Sequence, residues 1–407
     1  MSKIESVSCT VACIPLETAT AFATRVVRDR YYLLVKVRSD DGIEGIGFCY
    51  VGSAAGRLGA VAVEDLLAPV VVGKDPLTVE KIWKDMYAES LLQGRTGTVM
   101  RALSAIDVAI WDRNARAAGL PLWQYLGGAA DTSVPAYASG GYYIDGKTPA
   151  MLGEEVAAWV AKGFKAVKIK VGRLTPREEE VRIAAAREAI GDDILLMLDA
   201  NNAWEDLPTA LEYMRRYEPY NPYWIEEPFG PDDIDSHARL AAATPVTVAT
   251  GEIEYGRWRF KELLDKEAAG ILQTDALVCG GISEFRRIAA MAAGYGVKIC
   301  PHWFHDLHVH LVAASPNGQF VEFFLDDAVL NFRKLVGRQL EFKDGDLLLP
   351  GEPGVGFDFD ETAVARYGSG WATVGHNSAN AASPERLLRR RPYRHDRPWA
   401  GRTDFGS

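Results

Sequence analysis

The chain has 407 residues, 48% of them hydrophobic and 25% charged, the composition of a packed globular protein with room for one large barrel and a smaller domain. Lys and Arg number 45 against 55 acidic residues, and the formal charge of −10 gives no general electrostatic reason to bind nucleic acid or an anionic membrane. An anionic small molecule would therefore need a locally positive site. No run of about 18 apolar residues occurs, and MSKIESVSCTVACIP lacks the charged-then-apolar layout of a secretory signal, so a cytoplasmic location is expected. Cys9, Cys13, Cys49, Cys279 and Cys300 are odd in number and form no C-x-x-C pair, which predicts reduced thiols in a core rather than a disulfide framework or zinc knuckle.

Residues 1–130 open with β-like stretches such as YYLLVKVRSDDGIEGIGFCYV, whose D-G dipeptide predicts a hairpin. Helical periodicity follows through VEDLLAPVVVG, VEKIWKDMYAES and ALSAIDVAIWDRNARAAG, the last ending at Gly119 with Pro121 beyond it. From Val134 onward, short apolar runs alternate with amphipathic ones. VPAYAS, KAVKIKV, ILLMLDA, PYWIEEP, PVTVATGE, GILQTDA, VKICPH and QFVEFF read as eight strands separated by helices. This predicts an α/β chain with a TIM-type barrel over 131–330, an open doubly wound sheet being the weaker alternative. Residues 331–375, rich in Gly, Pro and Asp, read as short strands and turns returning to the first domain. Residues 376–407 form an Arg/Pro-rich tail, expected to be either disordered or an arm across a neighbouring subunit; nucleic-acid binding by it is the less favoured reading.

In such a barrel, catalytic groups come from the C-terminal ends of different strands. The predicted ends carry Lys168 and Lys170, then Asp199, Glu226, Glu252, Asp275, His302 and Glu322, at intervals of 20 to 29 residues from Lys170 onward. Any single carboxylate after a strand is more often a turn residue or helix N-cap. Asp199, Glu226 and Glu252, however, end successive strands, and three clustered carboxylates repel one another unless a cation sits among them. All-oxygen ligation favours Mg²⁺, with Mn²⁺ as the alternative, over zinc.

Lys168 and Lys170 lie two apart and project to one face of their strand. That face is either solvent-exposed or lines the barrel, and a parallel barrel strand is covered on both sides. Neighbouring cations and burial would then depress a lysine towards the range of a general base, with Lys170 the candidate. Asp275 is placed to hold one nitrogen of His302 and leave the other facing substrate. His305, His308 and His310 crowd nearby, but their spacing matches no common zinc motif.

These residues resemble the pattern of the mandelate racemase group of the enolase superfamily. The resemblance spans nearly the whole chain: ALSAIDVAIWDRNARAAGLPLWQYLGG, the K-x-K of VKIKVG, LDANNAW, WIEEP, ATGE, QTDALVCGGISE, the histidine of CPHWF, FVEFF and LPGEPGVG. It implies a (β/α)7β-like barrel with an α+β capping domain formed by the N-terminal region and the C-terminal segment. It further implies Asp199, Glu226 and Glu252 as metal ligands with Glu227 supporting, Lys170 as one base, and the His302–Asp275 dyad as the other. Glu322 would be the electrophile that hydrogen-bonds the substrate carboxylate, with Lys168 its ionic partner. Specificity loops are expected around 16–30 and 50–57, and a homo-oligomer is expected by family habit.

The expected chemistry is removal of the proton α to a carboxylate through an enediolate. Dehydration of an acid sugar, an aldonate or aldarate, to a 2-keto-3-deoxy acid is favoured. The alternative is racemisation or epimerisation of a 2-hydroxy acid, and a catalytically inactive binding protein is the remote third. Cycloisomerisation is disfavoured because such relatives usually carry another lysine where this chain has Asp275.

Overall fold

The computed structural model describes residues 2–128, 132–325 and 330–375; the tail expectation, 376–407, lies outside the described residues. The N-terminal region builds an antiparallel sheet from β1 (Ile4–Phe22), β2 (Arg25–Ser39) and β3 (Glu44–Tyr50). The predicted hairpin turns at Asp41 and Gly42, and Gly42 takes φ 83°, a conformation that only glycine adopts without strain. Helix Gly97–Ala117 lies across β3 so closely that a Cβ on Gly47 would stand 1.9 Å from the Ala105 carbonyl oxygen. Glycine there is what lets backbone meet backbone.

The eight predicted runs are the barrel strands: β4 (Ser133–Gly140), β5 (Ala166–Lys170), β6 (Leu195–Asp199), β7 (Trp224–Glu226), β8 (Thr247–Thr250), β9 (Ile271–Leu272), β10 (Lys298–Ile299) and β11 (Val321–Phe323). Successive strands from β4 to β10 pair in parallel, and β11 returns to pair with β4. A bridge between Ile299 and Gly318, with the Gln319 N–H donating to the Ile299 carbonyl at 3.0 Å, closes the ring. Helices following β4 to β7 are started by Thr148, Thr175, Asp206 and Asp233, each accepting a bond from a first-turn N–H; Thr175 and Glu178 form a full capping box.

Strand alternation divides the barrel into two environments. On β5, Val167 and Ile169 pack outward beneath the helices, while Ala166, Lys168 and Lys170 take the inward face. Tyr137, Ala166, Met197, Trp224, Ala249, Ile271 and Cys300, one from each of β4 to β9 and one just past β10, fill the interior as a layer. It is a packed core, and the charged residues sit above it. All five cysteines are free thiols and four are buried, as expected.

Segment 331–375 divides between the two parts of the molecule. β14 (Ala372–Gly375) joins the cap beside β1, as expected. By contrast β12 (Phe342–Lys343) and β13 (Asp346–Leu348) form a hairpin on the N-terminal end of β4, where Phe342 stacks on Phe164 at 4.3 Å. That aromatic contact draws the hairpin to the barrel floor, away from the cap. Among the described residues no helix is long and apolar enough to cross a membrane.

Candidate active site

Strand register brings the predicted residues to one level. Lys170 on β5 lies beside Asp199 on β6, which lies beside Glu226 on β7. Glu252, two residues beyond β8, completes a cluster in which ligand oxygens of Asp199, Glu226 and Glu252 lie within 4.8 Å of one another. Lys168 Nζ stands 2.6 Å from Glu226, 2.7 Å from Glu322 and 3.6 Å from Asp199, and Lys170 bonds Asp199. Trp224 Nε1 donates to the second oxygen of Glu226 at 3.1 Å, and the Asn201 N–H donates to the second oxygen of Asp199 at 2.9 Å.

On another wall of the cavity, His302 Nδ1 meets Asp275 Oδ2 at 3.0 Å while Nε2 points towards Glu252, 3.7 Å away. Asp275 is fixed by the Leu277 N–H, which donates to Oδ1 at 2.8 Å. The other histidines are accounted for structurally. His308 lies 2.7 Å from the Trp303 carbonyl and accepts from the Ala276 N–H; His310 accepts from the Trp123 N–H and donates to the Val355 carbonyl. His305 is buried on the same helix and tilts against Phe323 at 4.6 Å. Only His302 among these lines the cavity.

The cavity measures about 150 Å³ and is lined by Lys170, Glu227, Glu252, Asp275, His302 and Glu322 together with residues of the cap. A larger hollow of about 940 Å³ between the β1–β2 hairpin and the loops after β4 and β5 contains none of the predicted site residues. Backbone strain gathers at the smaller one: Asn201, Asn202, Glu227, Trp303 and Phe304 all have positive φ, from 34° to 62°. The pair Trp303–Phe304 turns the chain just after His302, so that the Trp303 N–H donates to Glu322 at 2.7 Å. Residues 16–30, expected as a loop, form instead the meeting ends of β1 and β2.

Electrostatics corrects two expectations. Burial alone would lower the Lys170 pKa, but Asp199 and the Tyr142 hydroxyl outweigh it and hold the ammonium above its ordinary value. Register hands this lysine a counter-ion instead of isolating it among cations. Glu322, expected as a hydrogen-bond donor, is ionised: burial would raise it, but Lys168, His302 and Lys170 bring it down to about 2. Lys168 is raised well above the usual lysine range, with Glu226 and then Glu322 overcoming burial. Within the Lys168–Glu322 pair the ammonium is the hydrogen-bond donor. His302 is raised to about 9, because Glu252, the Asp275 bond and Glu322 together exceed the cost of burial.

The carboxylates fit a hard divalent cation. Burial, then Asp199, push Glu226 well above the ordinary carboxylate range, despite Lys168 beside it. Negative charge in the cluster therefore exceeds what the lysines balance, and the donors are all oxygen. The sequence gives no signal for the cap residues Arg30 and Arg101, nor for Tyr142 just past β4, which line the same cavity.

A closed (β/α) barrel with a metal-fitting carboxylate cluster, two lysines and a His–Asp pair at its C-terminal mouth is an enzyme of the enolase type. Residues 5–127 match the model of the mandelate racemase/muconate lactonizing enzyme N-terminal domain, and 151–363 that of the enolase C-terminal domain-like family. The chain belongs to the mandelate racemase/muconate lactonizing enzyme family of the enolase superfamily. It is 36% identical to the L-talarate/galactarate dehydratase of Salmonella typhimurium, covering 89% of this chain and 90% of that one. Identity is 34% to the arabinonate dehydratase of Saccharolobus solfataricus (82% and 89% covered) and 32% to the 3,6-anhydro-alpha-L-galactonate cycloisomerase of Streptomyces coelicolor (90% and 100%). The crystal structure of a variant L-talarate/galactarate dehydratase, liganded with Mg and L-glucarate, matches with TM-score 0.84 and 34% identity over 93% of this chain and 94% of that one.

Proposed function

We propose that this chain is a Mg²⁺-dependent acid-sugar dehydratase that converts an aldonate or aldarate to a 2-keto-3-deoxy acid. The observation that carries the reading is Lys170 and the His302–Asp275 pair on a cavity that Glu252 also lines, with Asp199 and Glu226 clustered against Glu252. The dehydratases among the relatives, and glucarate in the solved structure, support the substrate class.

Asp199, Glu226 and Glu252 would hold the metal, with Glu227, buried and next in the chain to Glu226, in support. Bound there, Mg²⁺ supplies positive charge that compensates the carboxylates now leaning on the lysines and stabilises the negative charge gathering on the substrate carboxylate. Lys170 would act as the neutral amine: its nitrogen takes the α-proton and becomes the ammonium, which Asp199 beside it favours. The ammonium of Lys168, kept protonated by Glu226 and Glu322, faces the carboxylate oxygens of the enediolate. His302, protonated at neutral pH, gives its proton to the β-hydroxyl; the C–O bond breaks, water leaves, and the enol product tautomerises to the 2-keto acid. Asp275 orients the imidazole throughout.

A cytoplasmic, homo-oligomeric protein divided near residues 130 and 330 belongs to the same proposal. The experiment is semicarbazide detection of 2-keto acids, with Mg²⁺, across a library of aldonates and aldarates. A hit that disappears in Lys170→Ala and in His302→Asn is expected. Exchange and inversion at the α-carbon without any 2-keto acid would overturn dehydration in favour of racemisation.

A further inference from the structure

Pairing between β4 and β5 stops at Gly140 and Ile169, one residue short of Lys170, whereas β5 stays paired with β6 through Lys170 and Asp199. β4 turns away at Gly141, which takes φ 65° and lies so close to β5 that a Cβ there would stand 2.8 Å from Ile169 Cβ. The strand end that carries Lys170 therefore has a sheet partner on one side only.

Arg182 spans the other side. From helix Pro176–Ile190 its Nη1 donates to the Lys170 carbonyl and its Nη2 to the Gly141 carbonyl, each at 2.9 Å, so one planar guanidinium ties the two strand ends together. The side chain is buried, its Nη1 meets Glu179 Oε2 at 2.8 Å, and its Cζ lies 4.1 Å over the Tyr143 ring. Glu179 Oε1 accepts from the Arg173 and Leu174 N–H groups at 3.0 and 2.9 Å and from the Tyr143 hydroxyl, which holds the loop after β5.

We propose that Arg182 is a positioning residue for Lys170, fixing the backbone from which the lysine nitrogen reaches the α-proton. This rests on the reading of Lys170 as a base and deepens it. A buried ion pair adds little net stability, because desolvation offsets attraction, so Arg182 and Glu179 are poorly explained as a staple of the fold. Both carbonyls that Arg182 takes belong to the site's own supports. One is that of Lys170, and the other is that of the residue before Tyr142, whose ring stands 5.3 Å from Lys170 Nζ. A base displaced by about 1 Å loses roughly 100-fold in rate.

The test compares Arg182→Lys with Arg187→Lys. The first keeps a cation for Glu179 but loses the fork that reaches two carbonyls. The second is the reference: Arg187, on the same helix, also clamps carbonyls, those of Ile194 at 2.8 Å and Tyr220 at 3.0 Å, but these precede β6 and β7 at the opposite end of the barrel. With Mg²⁺ and the most active acid of the aldonate and aldarate library, deuterated at C2, one measures deuterium release to water, 2-keto acid and Tm. Arg182→Lys should lower kcat for deuterium release by about 10- to 100-fold with KM little changed, since the metal ligands and Lys168 are untouched. Arg187→Lys, compared equally far below its own Tm, should keep kcat. Millimolar guanidinium should restore part of the rate to Arg182→Ala, entering by the hollow of about 940 Å³ that Arg182 lines, a recovery that a folding defect would not show. Equal loss in the two lysine variants, a loss carried by KM alone, or no loss overturns the positioning role and leaves dehydration standing. Deuterium release without 2-keto acid, slowed in Arg182→Lys alone, supports the role while overturning dehydration. An unmodified enzyme that releases deuterium from no acid overturns both.

Discussion

Replacing Asp275 by asparagine tests whether the imidazole of His302 is the proton donor. The Asp275→Asn side chain is nearly isosteric and keeps an oxygen for the Leu277 N–H, so the helix start that Asp275 caps survives. What disappears is the charge 3.0 Å from His302 Nδ1. Coulomb's law at an effective dielectric of 20 sets an upper figure of roughly 5 kcal/mol for that pair. Hydrogen bonds to charged groups contribute about 1.5–3 kcal/mol net, so the His302 pKa should fall by about one to two units. A general acid works in its protonated form and loses activity as pH rises through its pKa. In the unmodified enzyme Asp275 helps hold His302 above its ordinary value, so kcat should persist into the basic range. The variant should begin to lose it about one to two units lower. The assay is kcat for 2-keto acid formation between pH 6 and 10. An unmoved basic limb, with kcat reduced equally at every pH, would refute the donor role and leave Asp275 a purely structural residue.

Chelation should abolish 2-keto acid formation, and adding Mg²⁺ to metal-stripped protein should raise Tm, with about 2.7 kcal/mol gained at a hundredfold excess over Kd; in Glu226→Gln the thermal shift should shrink sharply. Stability should also depend on His310, whose neutral ring accepts from the Trp123 N–H and which burial pushes down to about 4. A base whose folded pKa lies below its unfolded value stabilises fully above the unfolded pKa and loses that contribution as pH falls. Denaturant titrations should therefore show about 1.4 kcal/mol lost per pH unit from roughly 6.5 towards 4, on the reference value for histidine, and His310→Gln should flatten that slope. Gly47→Ala, whose new Cβ would strike the Ala105 carbonyl, should cost about 1–3 kcal/mol in the same titration.

The barrel was legible because its strands are bounded apolar runs recurring at a regular interval, and the site because each run ends in one polar residue. Side-chain parity supplied the rest on β5: Lys168 and Lys170 share a face, and the covered parallel sheet decides which face. Protonation states were not legible. The sequence places Lys170 near other charges, but only the register with β6 shows that its nearest neighbour is Asp199. The same holds for Glu322, whose ionised form depends on Lys168 reaching it from a strand far away in sequence. Cap residues were invisible for a different reason. Arg30 sits in an ordinary β-strand and Arg101 in an ordinary helix; nothing local marks them until the cap is seated on the barrel.

Two layers inside the barrel divide fold from chemistry. Tyr137, Met197, Trp224 and Cys300 belong to a packed apolar plug, the kind of interior that stabilises a barrel whatever stands above it. Immediately above, Lys168 is 1% exposed among Glu226, Glu322 and Asp199, and a buried ionic group of this kind is weak evidence for stability because desolvation offsets attraction. Trp224 ties the layers together, its ring in the plug and its Nε1 on Glu226. The upper layer is therefore held in place by the lower one rather than by its own ion pairs. On that argument the charged residues are there for their chemistry, and exchanging Lys168 alone for an apolar residue, which leaves Glu226, Glu322 and Asp199 buried without their shared counter-ion, should cost about 3–5 kcal/mol of stability as well as catalysis.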